Sequence, residues 1–127
     1  MPKASKPAPR LSVRDFQTAA NVSRETLARL EAYGALLKKW NPRINLVSRR
    51  SLDDLWRRHM LDSIQLLDHS LPNDVGGPWL DLGSGAGFPG LVLAIAGVTD
   101  MHLVESDGRK CTFLREAARI TGTEVTV

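Results

Sequence analysis

The sequence predicts an α/β fold, an N-terminal helical section followed by the first part of a parallel sheet in the order β-α-β-α-β. Up to Leu67 the apolar residues recur at three- and four-residue spacings, the period of helices with one buried face. From Pro78 onward they gather into short runs separated by helical stretches, which is the pattern of βαβ units. At the first change from run to helix stand Gly83, Gly85, Gly87 and Gly90, where a tight main-chain turn is needed.

Each element has its own local reason. Residues 1–11 hold three prolines and two lysines with little to bury, and read as a flexible basic tail. Residues 12–77 form the helical section. Ser12 with Asp15, and Ser23 with Glu25, are suited to start its first two helices, because a serine oxygen accepts from the free amides of a first turn. Leu27, Leu30, Leu37 and Trp40 share one face of the second helix, and Asn41-Pro42 is expected to end it, since proline disfavours a helical residue before it. After a connector to Arg50, Ser51 and Asp54 resemble a capping pair opening a third helix. Its stripe is Leu52, Leu55, Trp56 and Met60, continuing through Ile64 and Leu67 with a break near Asp62. Pro72 to Pro78 reads as a loop. Residues 78–127 then give a strand over 78–82, a helix over 89–96, a strand over 101–105, a helix over 108–120 and the start of a third strand at 124–127.

At 127 residues there is room for one core, and 43% hydrophobic with 24% charged residues is the composition of a folded domain. A single cysteine, Cys111, excludes an internal disulfide, and no Cys/His spacing suits zinc, so no metal is expected. Cys111 is expected to be a packing residue. The start lacks the apolar core of a signal peptide and no 18 apolar residues run together, so no membrane segment is expected, and the single cysteine fits a reducing, cytoplasmic location. The charge is uneven. Residues 1–70 carry 13 Lys+Arg against 7 Asp+Glu, whereas residues 71–127 carry 4 against 7, which suggests a polyanion facing the front section.

The run from Trp79 to Gly90, WLDLGSGAGFPG, carries the chemistry. Gly83, Gly85 and Gly87 allow positive φ and leave no Cβ between the main chain and a ligand, so they can wrap a nucleoside or amino-acid moiety. Glu105 falls 22 residues after Gly83 at the end of the second strand, where a carboxylate can accept from both ribose hydroxyls. Gly85 to Gly90 also satisfies the G-x-G-x-x-G pattern of dinucleotide-binding folds, so a nicotinamide-dependent oxidoreductase is a competing reading. Asp81 separates the two: it would repel a pyrophosphate but attract the ammonium of S-adenosylmethionine. Further upstream, Lys38, Lys39, Arg43, Arg49, Arg50, Arg57 and Arg58 with Trp40, Trp56 and His59 could meet RNA. Arg50, Arg58, His59 and Asp62 are candidates for the RNA-facing surface, the plain alternative being that His59 and Asp62, three apart, pair with each other. Trp40 and Trp56 fall on apolar stripes and read as core. A non-catalytic RNA-binding module is the third reading.

Trp40-Asn41 through Asn45-Leu46, then Arg50, Arg58-His59, Leu61-Asp62-Ser63 and Asp81 to Gly90 together resemble the RsmG family, also called GidB. The similarity runs from about Leu36 to Val127 and takes in Glu105-Ser106, Arg109-Lys110 and Phe113-Leu114. It implies a Rossmann-like class I methyltransferase sheet, with S-adenosylmethionine as cofactor and N7 of a guanine in 16S ribosomal RNA, free or in the small subunit, as methyl acceptor. By the resemblance Gly83 and Phe88 would contact the cofactor and Glu105 would hold its ribose. The family's catalytic domain has a seven-stranded sheet, so these 127 residues read as an N-terminal fragment or incomplete chain, and activity is not expected of them alone. Guanine N7 has an unprotonated lone pair, so the reaction needs positioning rather than a general base.

Overall fold

The computed structural model describes residues 10–69 and 78–127. Helices α1 (Val13–Ala20) and α2 (Arg24–Ile44) start as the serines predict: Ser12 accepts from Asp15 N and Ser23 from Thr26 N. Along α2 the buried residues are Leu27, Leu30, Tyr33, Gly34, Leu37 and Asn41, one continuous face. Gly34 lets the next helical segment approach, because a Cβ there would lie 3.0 Å from Leu55 Cδ2.

Two boundaries differ from the sequence reading. Helix α2 continues through Pro42 to Ile44, with Pro42 exposed in its last turn. The stop comes instead from Asn45, left-handed at φ 47°, and from the buried Asn41, whose Oδ1 accepts from Leu46 N at 2.8 Å and Val47 N at 2.9 Å. The following helix starts earlier than Ser51, as α3 (Arg49–Leu52), with Ser48 accepting from Ser51 N. It is also less regular than its stripe implies. A π-helical turn, Trp56–Leu61, precedes α4 (Asp62–Ile64) and α5 (Leu66–His69). The loop expected over Pro72 to Pro78 lies outside the described residues except for Pro78.

Strands β1 (Trp79–Leu82) and β2 (Met101–Val104) pair in parallel, with Trp79 opposite Met101 and Leu82 opposite Val104. Between them runs α6 (Gly90–Ile95), every residue of which is buried. After β2 comes α7 (Gly108–Thr121), capped by Asp107, which accepts from Arg109 N and Lys110 N, and closed by Gly122 at φ 63°. The third strand is present as one parallel bridge between His102 and Thr126 on the far side of β2. This is a helical section followed by part of a Rossmann-like fold.

Helical section and sheet share one core. Tyr33, Leu37 and Leu30 of α2 join Leu91, Val92, Leu103, Phe113 and Leu114 in it. Trp40 meets Phe113 edge-on at 5.6 Å, and Trp56 packs on Phe16 at 4.9 Å, so both tryptophans are packing residues. One face of the sheet, with Met101 and Leu103 buried, is covered. The other shows Leu80, Leu82 and Val104 to solvent, with Leu82 74% exposed.

Candidate cofactor-binding site

The glycine loop begins where β1 leaves the sheet. Gly83 N and Ser84 N both donate to Val104 O, at 2.8 and 3.1 Å, so the chain turns over the end of β2. Ser84 Oγ donates back to Asp81 O at 2.8 Å, and Gly87 N donates to Ser84 O at 2.7 Å. The main chain is therefore bonded to itself before any ligand is considered.

Three side chains from three elements then fix the loop. Tyr33, fully buried on α2, donates its hydroxyl to Ala86 O. Glu105, just past β2, accepts from Gly85 N through Oε1 at 2.7 Å and from Asp107 N through Oε2 at 2.9 Å. Asp81 Oδ2 accepts from Gly90 N at 3.1 Å. Gly90 is required there by proximity, since a Cβ would lie 2.5 Å from Leu103 Cδ2 and 2.6 Å from Asp81 Oδ2.

The two acids are shifted in opposite directions. The amides of Asp107 and Gly85 hold the Glu105 carboxyl below its usual range. Burial raises Asp81, with the bonds from Gly90 and Ser84 opposing it. Burial also raises the Tyr33 hydroxyl, assisted by the nearby Asp81 charge.

The loop glycines serve different purposes. Around Gly83, at φ +70°, a Cβ would meet nothing within 4 Å, and around Gly85, at φ +54°, only Gly83 O at 3.9 Å. These two present open main chain. Gly87 is buried, and a Cβ there would run into Tyr33, Leu91 and Leu114, so its glycine is set by the core rather than by ligand approach. Phe88 turns toward the helices, with its ring 5.4 Å from Tyr33 and stacked on His59 at 4.5 Å and 19°.

The upstream residues divide. Arg50, Arg58 and Asp62 are exposed, and among the described residues neither arginine has a carboxylate within 4 Å. His59 is less exposed than these three, being half-buried. Its Nε2 is buried with no hydrogen-bond partner, and no bond joins it to Asp62. Burial lowers its pKa, opposed by Asp62 and reinforced by Arg58. Cys111 is half-buried, its thiol donating to Glu105 O at 3.2 Å. Among the described residues no group of three His, Cys, Asp or Glu is placed to hold a metal, and no helix is long and apolar enough to cross a membrane.

Residues 26–127 match the sequence model of the family described as GidB, rRNA small subunit methyltransferase G. The chain belongs to the GidB family. Relatives carrying the name ribosomal RNA small subunit methyltransferase G include one from Rhodospirillum centenum, 62% identical over 121 residues, which are 95% of this chain and 55% of that protein. Another from Rhodospirillum rubrum is 64% identical over 110 residues, 87% of this chain and 54% of that protein. A third, from Orientia tsutsugamushi, is 49% identical over 107 residues, 84% and 53%. The GidB-family chain thus spans about half the length of the curated relatives it matches.

Two elements of this GidB-family site were not read from sequence. Tyr33 lies three residues after Leu30 and four before Leu37, so the helical period already placed it on the buried face. The buried, unpartnered His59 nitrogen lies in the π-helical turn, just before the break the sequence suggests near Asp62, and its lack of a partner had no sequence signal.

Proposed function

We propose that this chain is the cofactor-binding part of an S-adenosylmethionine-dependent methyltransferase that acts on N7 of a guanine in 16S ribosomal RNA, in the cytoplasm. The observation that carries the reading is the loop Gly83 to Gly87, held with the open main chain of Gly83 and Gly85 beside the Glu105 carboxylate. Family membership and the relatives' names support the RNA substrate.

The residues fit such a cofactor. A carboxylate has about four acceptor positions on its two oxygens, and Glu105 uses one on each for main-chain amides. Positions remain for two ribose hydroxyls. The Asp81 carboxylate, with Gly90 N on Oδ2 and Ser84 beside it, would attract an ammonium group directly or through water. Open backbone at Gly83 and Gly85 would lie against the nucleoside. When bound, the cofactor supplies a methyl group on a cationic sulfur, and guanine N7 accepts it without losing a proton. The chain's task is to orient and to exclude water. Arg50, Arg58 and Asp62 would face the RNA, while His59, stacked on Phe88, would join that face to the loop.

Titration calorimetry of S-adenosylmethionine, its demethylated product and NADH against the protein tests the cofactor. Binding of the first two and not the third is expected. NADH binding alone would move the chain to the oxidoreductases, and RNA binding with no response to either cofactor would make it a binding module.

A further inference from the structure

Between the end of α2 and the start of α3 lies a cavity of about 530 Å³ that no residue of the glycine loop lines. Its size is that of a small-molecule site. Pro42, Leu46 and Leu52 form apolar walls, and Lys38 and Arg49 stand at it. Both cations are exposed, and neither forms an ion pair among the described residues.

Asn41 gives the cavity its polarity. The residue is 8% exposed, and its Oδ1 is engaged by Leu46 N and Val47 N, which fixes which way the amide points. No described residue accepts from Nδ2. Nor is that nitrogen among the sealed, unpartnered atoms, where His59 Nε2 stands alone among the described residues. It therefore reaches accessible space, and Asn41 lines this cavity. A donor whose oxygen is already occupied recognises an acceptor such as a base carbonyl or ring nitrogen.

We infer that this cavity is a second RNA site, taking a nucleotide swung out of the strand, with its base against Asn41 and its phosphates at Lys38 and Arg49. An extruded base is held by an apolar surface for its ring, hydrogen bonds at its edge and cations for its phosphates, and here aliphatic walls, the Asn41 donor and two cations supply them with no aromatic ring in the lining. An acidic peptide would use the cations but leave the walls and the donor idle. The inference rests on the RNA reading above, and it would anchor RNA away from the cofactor loop.

Asn41→Asp keeps acceptors for both amides while replacing the donor with a negative oxygen. Lys38→Gln with Arg49→Gln removes the cations from exposed positions. Fluorescence anisotropy would follow a labelled single-stranded RNA, a duplex of the same sequence and a poly-glutamate peptide, beside calorimetry with S-adenosylmethionine. The expected result is preference for the single strand, about tenfold weaker binding in Asn41→Asp, and a slope of log affinity on log salt lower by about 1.4 in the double variant. Cofactor affinity stays unchanged in both. Should Asn41→Asp fail to fold, the double variant decides. Unchanged RNA binding with cofactor binding intact would overturn this site and leave the proposed function standing, as would equal binding of poly-glutamate. Loss of cofactor binding in the unaltered protein would instead overturn the proposed function.

Discussion

Gly87→Ala tests why the loop is built from glycine. A Cβ at Gly87 would lie 2.8 Å from Tyr33 Oη, 3.0 Å from Leu91 Cβ and 3.2 Å from Leu114 Cδ2, on a residue whose φ is +101°. Tyr33, Leu91 and Leu114 are all 0% exposed, so none has free space to retreat into. The backbone conformation costs about 1–3 kcal/mol for a residue with a side chain. Forcing a methyl group into a packed core costs about 1–3 kcal/mol more. The total, about 2–6 kcal/mol, is a large share of the roughly 5–15 kcal/mol that holds a domain together. Gly83→Ala is the control, because its φ is +70° and nothing lies within 4 Å. It should lose only the backbone part, about 1–2 kcal/mol. Urea unfolding followed by tryptophan fluorescence reads both, with the slope expected to stay constant. Tyr33→Phe leaves Ala86 O without its donor, at about 1–3 kcal/mol. Combined with Gly87→Ala it should cost less than the sum, since phenylalanine lacks the oxygen nearest the new methyl. A Gly87→Ala protein as stable as Gly83→Ala, or a strictly additive pair, would refute the packing argument.

Glu105→Gln keeps an acceptor for one amide but presents an NH2 to the other, and S-adenosylmethionine affinity should fall by about tenfold or more in calorimetry. Because the folded pKa of Glu105 is depressed, its contribution to stability is present above the unfolded value of 4.5 and lost as pH falls through the lower folded value. Acid unfolding of Glu105→Gln should therefore be shallower than that of the unaltered protein. His59 has the same sign: its contribution is complete above 6.5 and declines as pH falls through the lower folded value. His59→Phe keeps a ring on Phe88 and removes the orphaned nitrogen, so it should be neutral or stabilising by about 1 kcal/mol and should lose the decline that His59 contributes below pH 6.5; a loss of several kcal/mol in thermal unfolding would show that Nε2 has a partner. Leu80→Thr with Leu82→Thr, at 63% and 74% exposure on the open sheet face, should reduce self-association in light scattering with little change in melting temperature.

What the sequence made legible was short-range. The Ser12 and Ser23 caps, the leucine face of α2 and the strand–glycine–helix order each depend on residues a few positions apart, and each is where the pattern puts it. Errors arose where a side chain acts across the fold. Asn41 closes α2 by capturing the amides of Leu46 and Val47, so the chain has turned by Ser48, and that serine caps α3 before Ser51 can. Pro42 lacks only one amide in the last turn, where the helix tolerates the loss once Asn45 takes the left-handed position. In the site, the positions of Asp81, Gly83, Gly85 and Glu105 were legible because spacing along βαβ sets them. Gly87 was grouped with its neighbours although its reason is Tyr33, 54 residues away in sequence, and no period carries that contact.

The opposed shifts of Asp81 and Glu105 make a last prediction, in which stability and affinity move in opposite directions. Asp81 is raised in the folded state, so its contribution to stability is fully present below the unfolded value of 3.8 and lost as pH rises through the higher folded value. At neutral pH the fold carries a half-buried carboxylate whose burial the bonds from Gly90 and Ser84 offset only in part. A cationic ligand at the Asp81 carboxylate would favour the ionised form that burial disfavours, so affinity should weaken as acid protonates Asp81, whose pKa is raised above 3.8. Asp81→Asn retains an acceptor for Gly90 N and removes the charge. It should leave stability at neutral pH equal or higher, lower S-adenosylmethionine affinity, and abolish that part of the acid dependence of binding which Glu105 does not explain. If the variant were less stable and bound the cofactor as before, Asp81 would be a brace for α6 with no electrostatic part in recognition, and the distinction between a cationic nucleoside and a pyrophosphate would have to rest elsewhere in the loop.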